Sequence, residues 1–596
     1  MREFTVPATV TVPDDARLTD MVVDNAREAP EQVSFSRRTA TGWEDITAAR
    51  FAEDVDAVAR GLVAAGVAAG ERVAIMSANR YEWTLLDYAT WTAGAVVVPI
   101  YETSSAEQVQ WIVSNSGAVA AVVETAAHLA VLDSVRADLP DLRHVWTIES
   151  GAVDTLVELG REVPDAEVQS RRTAVRADDL ATVIYTSGTT GRPKGCELTH
   201  RNLLFQTMAT ADGLRKMFND DSATLLFLPL AHIFGRIVEV GGVLNRVRLA
   251  HTADVKRLLD DFGAFRPHFV VSVPRVFEKV YNASKQRAHA DGKGKVFDLA
   301  DRTAVAYSEA LDRGRVPIGL RLRHALMDRL VYSKLRAAMG GRCANAISGG
   351  APLGARLGHF FRGVGMTVYE GYGLTETTAG GTVSLDDSVK IGTVGRPVPG
   401  VTVRIADDGE VLLRGPIVMR AYWQNEAATA EAIDPEGWFR TGDLGSIDAD
   451  GFVTITGRKK ELIVTSGGKN VAPAVLEDRL RAHFLVSQCM VVGDHQPFIG
   501  CLVTIDQDAF PAWKKAAGKP ADATVADLRE DKDLRAEIQS AVDEANKAVS
   551  RAESIRSFRI LPEDFTEASG QLTPSMKLKR SVVLKEYASE VAAIYT

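Results

Sequence analysis

Residues 185–195 read YTSGTTGRPKG, a segment with three glycines, five hydroxyl side chains and one lysine among eleven residues. The segment begins within the apolar run ATVIYTS at 181–187, which predicts a strand that ends in a loop. Glycines let the backbone approach an anion closely, and Lys194 adds a positive charge. The segment therefore predicts a loop that binds phosphate groups at the end of a strand.

The Walker-type P-loop is excluded as the identity of this segment. That motif is G-x-x-x-x-G-K-[ST]. Counting from Gly188, the second glycine would fall on Pro193, and Lys194 is followed by Gly195 instead of serine or threonine. A phosphate loop of another kind remains, and a plain surface turn is the alternative for a segment so rich in glycine.

The composition is that of a globular protein with more than one domain. The chain has 596 residues, of which 46% are hydrophobic and 25% charged, and this length exceeds what one core holds. A net charge of −9 without a basic tail argues against nucleic acid as a partner. The four cysteines show no C-x-x-C spacing, and no apolar run is long enough to span a bilayer. The sequence predicts a cytoplasmic protein, leaves peripheral contact with a membrane open and does not determine the oligomeric state.

The order of apolar runs predicts an α/β protein. Short β-branched runs such as RVAIMSA at 72–78 alternate with longer helical segments, which is typical of layered sheets and helices. Residues 284–342 are charged and poor in strands, so they predict a helical excursion. We expect a large multi-layered N-terminal domain over 1–457 and a small mobile α+β C-terminal domain over 458–596.

Two further motifs carry groups suited to a nucleotide. In YEGYGLTETT, residues 369–378, Tyr372 could stack on a base, and Thr375 and Glu376 offer hard oxygen ligands for Mg²⁺ beside phosphates. In GWFRTGDLG, residues 437–445, Asp443 in a tight turn could accept hydrogen bonds from both ribose hydroxyls. A structural turn is the alternative for each motif when it is considered alone.

Two more motifs contain single titratable residues. LPLAHIFGR, residues 228–236, contains His232, and a lone histidine after an apolar run is more often structural than catalytic. QLTPSMKLKR, residues 571–580, contains lysines on a terminal segment. Such a lysine can bring a positive charge to an oxygen as negative charge develops there, and a solvated basic tail is the alternative.

The motifs between residues 185 and 580 resemble, in order, those of the adenylate-forming enzymes, which include acyl-CoA synthetases, luciferases and the adenylation domains of peptide synthetases. VPRVFEKVY at 273–281 and the TPSMKLKR ending resemble the long-chain fatty acyl-CoA synthetase branch. The resemblance implies that ATP activates a long-chain fatty acid as an acyl-adenylate, and that CoA then accepts the acyl group with release of AMP. It also implies Mg²⁺ as cofactor.

Three alternatives to this activity remain at the level of sequence. One is an adenylating enzyme that loads a carrier protein, and another is an enzyme for a medium-chain or aryl acid. The third is a nucleotide-binding protein that has kept the fold without the chemistry.

The same resemblance assigns roles to individual residues. It implies a nucleotide site made by Thr186, Ser187, Gly188, Thr189, Thr190, Gly191, Lys194, Gly349, Gly350, Tyr372, Gly373, Thr375, Asp443 and Arg458. It implies catalytic roles for Lys577, Glu376 and Thr186, metal contacts for Glu376 and Thr186, acyl contact for His232, a hinge at Lys460, and passage of pantetheine beside Gly467 and Gly468. Lys579 is the weaker alternative to Lys577, because Met576 stands where many relatives have glycine.

Overall fold

A computed structural model describes residues 1–39, 42–186, 192–254, 257–567, 569–573 and 577–596. The strands up to residue 458 are β1 (Glu3–Thr5), β2 (Val33–Thr39), β3 (Gly42–Thr47), β4 (Arg72–Met76), β5 (Val96–Ile100), β6 (Ala118–Val123), β7 (His144–Thr147), β8 (Leu180–Thr186), β9 (Lys194–Thr199), β10 (Ala223–Leu226), β11 (Arg248–His251), β12 (Phe269–Ser272), β13 (Asn345–Ser348), β14 (Thr367–Tyr372), β15 (Thr382–Val383), β16 (Arg396–Pro397), β17 (Thr402–Ile405), β18 (Glu410–Arg414), β19 (Ala421–Tyr422), β20 (Phe439–Ile447) and β21 (Val453–Arg458). They are followed by β22 (Ile463–Val464), β23 (Asn470–Val471), β24 (Val486–Val492), β25 (Ile499–Ile505) and β26 (Ile555–Ile560).

Helices separate most of these strands. Those up to residue 458 are α1 (Asp20–Glu28), α2 (Ala48–Ala64), α3 (Tyr81–Thr92), α4 (Ala106–Ser116), α5 (Ala126–Asp133), α6 (Ala152–Leu159), α7 (Asp165–Ala174), α8 (His200–Gly213), α9 (Ile233–Leu244), α10 (Leu258–Phe265), α11 (Pro274–Ala290), α12 (Gly294–Asp312), α13 (Ile318–Met327), α14 (Ser333–Ala338), α15 (Ala355–Val364) and α16 (Glu426–Ala432). The rest are α17 (Pro473–Arg481), α18 (Phe510–Ala516), α19 (Val525–Leu528), α20 (Lys532–Asn546), α21 (Arg580–Glu586) and α22 (Ala588–Tyr595).

Two large mixed sheets form the centre of the fold. One has the strand order β16-β15-β14-β13-β12-β10-β11-β2-β3 and the other β19-β9-β8-β5-β4-β6-β7. Every residue of β5 and β6 is buried, because helices cover both faces of the parallel strands and no polar face is needed. The α/β class predicted from the alternating pattern is therefore confirmed.

The carboxyl ends of neighbouring parallel strands bring the sequence motifs together. Strands β10, β12, β13 and β14 run parallel in one sheet, so their ends lie at one edge, where ligands bind in such folds. The LPLAH motif follows β10, Gly349 and Gly350 follow β13, and the motif with Tyr372 begins in β14.

The helical excursion predicted for residues 284–342 is present. It begins earlier than predicted, at Pro274, and consists of α11 to α14, with one π-helical turn at Asp328–Tyr332 between α13 and α14. These helices pack on one side of the nine-stranded sheet, in a hydrophobic cluster that joins Phe277, Phe297 and Tyr332 to Val270 of β12 and Val368 of β14.

Smaller sheets complete the chain. A five-stranded sheet has the order β1-β17-β18-β20-β21, and beyond residue 458 β24-β25-β26 forms a three-stranded sheet. The latter sheet packs with α17 and α20 around Leu476, Val503 and Ile538. Within the described ranges, no helix is both long enough and apolar enough to cross a bilayer.

Candidate active site

The phosphate-loop segment connects two antiparallel strands. Thr186 at the end of β8 pairs with Lys194 at the start of β9. Tyr185 Oη donates to Asn115 Oδ1 at 2.7 Å, and Trp111 Nε1 donates to the Pro193 carbonyl at 2.9 Å, so both ends of the loop are fixed to α4. The predicted ligands Ser187, Gly188, Thr189, Thr190 and Gly191 lie outside the described residues, and their roles stay predictions.

Tyr422 connects Lys194 with Glu376, and sequence reasoning missed it. Lys194 Nζ lies 4.8 Å from the centroid of the Tyr422 ring, and Tyr422 Oη donates to Glu376 Oε1 at 2.8 Å. Burial and the negative charge of Glu376 raise the pKa of Tyr422, so the phenol stays a neutral donor. Tyr422 belongs to the short segment AYW, which has no motif that could have identified it.

Tyr372 and the two predicted ribose ligands, Asp443 and Arg458, form one hydrogen-bonded group. Tyr372 Oη donates to Asp443 Oδ2 at 2.6 Å, and Arg458 Nε donates to Asp443 Oδ1 at 3.0 Å. Asp443 and Arg458 face each other across β20 and β21, so Asp443 lies on a strand and the expected tight turn is wrong. Its side chain is only 7% exposed, and two donors compensate for the burial of the carboxylate.

Glycines keep the backbone open at the ends of β13 and β14. Gly350 has a φ of +82°, a conformation that favours glycine. A Cβ on Gly373 would lie 2.2 Å from the carbonyl oxygen of Ala379, so no side chain fits there. Gly349 and Gly350 line the cavity without a side chain, so a ligand can approach their backbone closely.

His232 stands at the start of α9. Its Nδ1 accepts a hydrogen bond from the Phe234 N–H at 3.1 Å, which caps the helix. Desolvation lowers the pKa of His232 to about 3, and the charge of Lys577 contributes to the shift. The ring is therefore neutral at pH 7 and serves as a cap and a wall of the cavity.

Lys577 faces the same cavity from the C-terminal part of the chain. Its N–H donates to Thr573 Oγ1 at 3.0 Å, and its carbonyl accepts from the Thr573 N–H at 2.8 Å, which forms a small hairpin. Desolvation lowers the pKa of Lys577, Arg458 lowers it further, and the carboxylates of Asp443 and Glu376 oppose the shift. The side chain is thus close enough to respond to the charges of both nucleotide-side carboxylates.

Most of the predicted site residues line one cavity of about 2520 Å³. Its lining includes Thr186, Lys194, His232, Gly349, Gly350, Tyr372, Gly373, Thr375, Glu376, Asp443, Arg458, Lys460 and Lys577. Lys460 follows β21 in a single 3-10 turn, Lys459–Glu461. Gly467 and Gly468 do not belong to the described lining. They lie in the exposed turn between β22 and β23, and a Cβ on Gly468 would meet no atom within 4 Å.

An apolar part of the cavity extends between α8 and α9. Its lining includes Leu214, Phe218, Ile237, Val238 and Gly241. A Cβ on Gly241 would lie 3.2 Å from the Phe218 ring, so the missing side chain provides space for the ligand. The cavity therefore joins polar and charged groups suited to a nucleotide with an apolar wall suited to a hydrocarbon chain.

A buried ion pair fixes α9 behind this wall. Arg236 donates to both carboxylate oxygens of Asp87 on α3, and Arg236 Nη1 donates to Thr182 Oγ1 at 2.6 Å. Both charged side chains are fully buried. The pair links α9 to β8, the strand that leads into residues 185–195. Sequence reasoning missed it, because the partners are 149 residues apart.

A second ion pair connects the helical excursion with the C-terminal sheet. Arg275, near the start of α11, donates from Nη2 to Asp506 Oδ2 at 3.0 Å and to Ser487 Oγ at 3.4 Å. The side chains of Arg275 and Asp506 are 19% and 16% exposed. The ion pair between Arg275 and Asp506 is present in the same arrangement in which Lys577 faces the cavity. No local sequence motif predicts this ion pair.

Comparisons with known proteins agree with this geometry. The chain matches the family models AMP-binding enzyme over residues 22–423 and AMP-binding enzyme C-terminal domain over residues 460–596. It is 54% identical to the long-chain-fatty-acid–CoA ligase FadD15 of Mycobacterium tuberculosis, with 100% of each chain covered. It is 30% identical to the human long-chain-fatty-acid–CoA ligase ACSBG1, over 93% of this chain and 82% of that protein.

Solved structures share the fold. A fatty acyl CoA synthetase from Mycobacterium tuberculosis has a TM-score of 0.62 at 23% identity, with 96% of this chain and 99% of the other covered. The anthranilate CoA ligase AuaEII, in complex with anthranoyl-AMP, has a TM-score of 0.74 at 18% identity, with 98% and 99% covered. The extent of the family match and the full-length relative together show that the chain belongs to the AMP-binding enzyme family.

Proposed function

We propose that the chain is a long-chain fatty acid–CoA ligase that forms acyl-CoA, AMP and pyrophosphate from a fatty acid, ATP and CoA. The observation that carries the proposal is one cavity in which Asp443, Glu376 and Lys577 adjoin an apolar wall between α8 and α9. The full-length likeness to a protein named as a long-chain-fatty-acid–CoA ligase supports the same conclusion.

In the first half-reaction, an oxygen of the fatty acid carboxylate attacks the α-phosphorus of ATP. The new oxygen–phosphorus bond forms as the bond from the α-phosphorus to the bridging oxygen breaks, and pyrophosphate leaves. Asp443 has acceptor capacity left for ribose hydroxyls beyond its bonds to Tyr372 and Arg458. Lys577 supplies positive charge beside the reacting oxygens, and positioning supplies much of the rate.

Magnesium fits the oxygen ligands of this site. Glu376 uses one carboxylate oxygen to accept from Tyr422, and in the described part of the chain its other oxygen has no donor. Thr186 adds a hydroxyl, and the described residues contain no cluster of three metal-ligating acid, histidine or cysteine side chains. One or two protein oxygens plus substrate phosphates are what Mg²⁺ commonly uses. When bound, Mg²⁺ neutralises phosphate charge.

In the second half-reaction, the sulfur of CoA attacks the carbonyl carbon of the acyl-adenylate. The carbon–sulfur bond forms, the bond from carbon to the AMP oxygen breaks, and the thiol proton passes to solvent. Lys577 serves only the first half, so we propose that residues 458–596 form a mobile domain that rotates about Lys460. Hinges of this kind are a few residues at the end of an element that absorb backbone changes, and Lys460 follows β21.

The fatty acid is favoured over a small acid as substrate because the acyl side of the cavity is apolar and long enough to reach Gly241 within α9. The four cysteines are buried and free, which fits the reducing cytoplasm that we propose as the location. A carrier protein in place of CoA remains the alternative acceptor.

A chain-length series of carboxylic acids tests the proposal. AMP release is measured with ATP, each acid, and either CoA or a phosphopantetheinyl carrier protein, with Lys577→Ala as the inactive control. We expect CoA-dependent turnover that rises toward long chains. Turnover with the carrier alone would establish the alternative acceptor, and absence of acid-dependent exchange of pyrophosphate into ATP would refute ligase activity altogether.

A further inference from the structure

Helix α13 presents an apolar stripe to solvent. Ile318, Leu322 and Leu326 are 76%, 68% and 54% exposed. Their spacing of four residues places them on one face of the helix, and Leu330 in the following π turn continues the stripe at 46% exposure. Contiguous exposed apolar side chains of this kind mark an interaction surface, whereas scattered single ones need no explanation.

The opposite face of α13 is firmly docked. Met327 is 3% exposed. The ring of His324 stacks on that of Tyr307 at 3.8 Å, and His324 Nε2 lies 2.6 Å from the carbonyl oxygen of Gly363. The exposed stripe therefore belongs to a helix that is held in place by its other side, so its exposure is a property of the fold.

The stripe lies in a strongly basic segment. Residues 313–336 contain seven arginines and lysines and one acidic residue, a net charge of +6 in a chain whose total is −9. Arg321 and Arg323 flank the stripe, and Arg315 precedes the helix. Among the residues that the structure describes, none of these three arginines has a carboxylate within ion-pair distance, so their charges are available to a partner.

We propose that α13 docks the enzyme on an anionic lipid bilayer, with the stripe inserted among the acyl chains and the arginines against the headgroups. Interfacial helices combine an apolar face with arginines and lysines in this way, and they insert about 5–10 Å. At ten residues, α13 is about 15 Å long and too short to span the hydrocarbon core.

The charge pattern distinguishes a membrane from a second copy of the chain. A twofold interface would bring the same arginines of two molecules together, and like charges across an interface oppose association. An anionic surface satisfies both features at once, since it takes up the leucines and attracts the arginines.

Co-sedimentation of the full chain with vesicles tests the proposal, without ATP or CoA. Vesicles of phosphatidylcholine alone are compared with equal mixtures of phosphatidylcholine and phosphatidylglycerol. We expect binding to the anionic vesicles, weakened by added salt because the headgroup attraction is screened. The double variant L322Q/L326Q should bind at least about tenfold more weakly, and R321Q/R323Q about 30-fold more weakly.

Matched variants elsewhere on the surface provide the controls. Leu159→Gln removes another leucine of 47% exposure at the end of α6, and Arg556→Gln removes an exposed arginine from β26. Both should bind like the unchanged chain. A circular dichroism melt checks that each variant folds, and L322Q alone replaces the double variant if that one does not.

Equal binding to neutral and anionic vesicles would overturn the proposal, as would binding unaffected by the α13 variants. Loss of self-association instead of vesicle binding in L322Q/L326Q, measured by light scattering, would also overturn it and assign the stripe to a second copy. Because the partition is measured without catalysis, a failure of the proposed ligase activity would leave this result intact.

Discussion

Replacing Asp506 by asparagine should slow acyl-adenylate formation and spare thioester formation. Asp506 Oδ2 accepts from Arg275 of α11, while its Oδ1 accepts from the N–H groups of Asp508 and Ala509 at 3.0 Å each. Asparagine keeps the shape and an oxygen for the two local bonds but loses the charge. The variant therefore weakens one contact across the cavity without unfolding the start of α18.

The size of the effect follows from the burial of the pair. Hydrogen bonds that involve charged groups contribute about 1.5–3 kcal/mol, and exposed ion pairs about 0.2–1 kcal/mol. Arg275 and Asp506 are 19% and 16% exposed, so we take about 1.5 kcal/mol, partly screened by solvent. A loss of about 1.5 kcal/mol lowers the equilibrium constant for the observed arrangement, in which Lys577 faces the cavity, by about tenfold relative to other arrangements.

The two half-reactions are measured separately. Exchange of labelled pyrophosphate into ATP reports adenylation, and release of acyl-CoA from a preformed acyl-adenylate reports the second half. We expect up to a tenfold loss in the first and little change in the second. Asp508→Asn is the matched control, because its pair with Lys279 is exposed and 3.6 Å apart. Equal losses in both halves, or a loss no larger than in the control, would refute the reasoning.

Four further changes test individual residues. Lys577→Ala should reduce pyrophosphate exchange by about 100- to 1000-fold while largely sparing thioester formation from acyl-adenylate; equal loss in both assays would contradict its role. Glu376→Gln should raise the Mg²⁺ concentration for half-maximal exchange at least about tenfold, and an unchanged Mg²⁺ titration would disprove metal contact. Gly241→Leu should shift kcat/KM toward shorter acids, by about fourfold for each methylene excluded from the pocket; an unchanged chain-length profile would mean that the chain runs elsewhere. Burial and the charge of Asp87 raise the pKa of Glu239 to about 8, so the contribution of Glu239 to stability should fall between about pH 4.3 and about pH 8, where the unfolded state loses a proton that the folded state keeps. Glu239→Gln should lack that slope in urea unfolding, and identical slopes would refute the assignment.

The predicted site residues that line the cavity all stand in short local motifs. Thr186 ends β8, Glu376 lies in a 3-10 turn after β14, Asp443 lies on β20, and Lys577 belongs to a small hairpin. The topology brings these four segments to one cavity. A motif consists of a few adjacent residues, so it can be recognised in the sequence without knowledge of contacts to distant parts of the chain. It does not record local backbone shape equally well, and Asp443 lies on β20 instead of in a turn.

The residues that sequence missed connect segments far apart in the chain. Tyr422 is 46 residues from Glu376, and Arg275 is 231 residues from Asp506. Tyr422 and Arg275 are common residue types in segments without a motif. Their roles depend on the distant residues that they contact. Gly467 and Gly468 lie outside the described cavity lining in the observed arrangement, so the passage of pantetheine beside them stays a prediction.

Under the proposed function, the buried pair of Arg236 and Asp87 helps to fix the position of the fatty acid relative to ATP. Arg236 lies on α9, four residues after His232. Its guanidinium contacts Asp87 on α3 and Thr182 on β8. The helix that lines the apolar part of the cavity and the strand that leads into the predicted phosphate loop therefore share one rigid connection. Removing one partner of a fully buried pair leaves an unpaired charge, at a cost of about 3–5 kcal/mol. A displacement of this connection would move the acyl carboxylate relative to the nucleotide, and attack at phosphorus is sensitive to such displacements. The pair thus couples the stability of the core to the geometry of the first half-reaction.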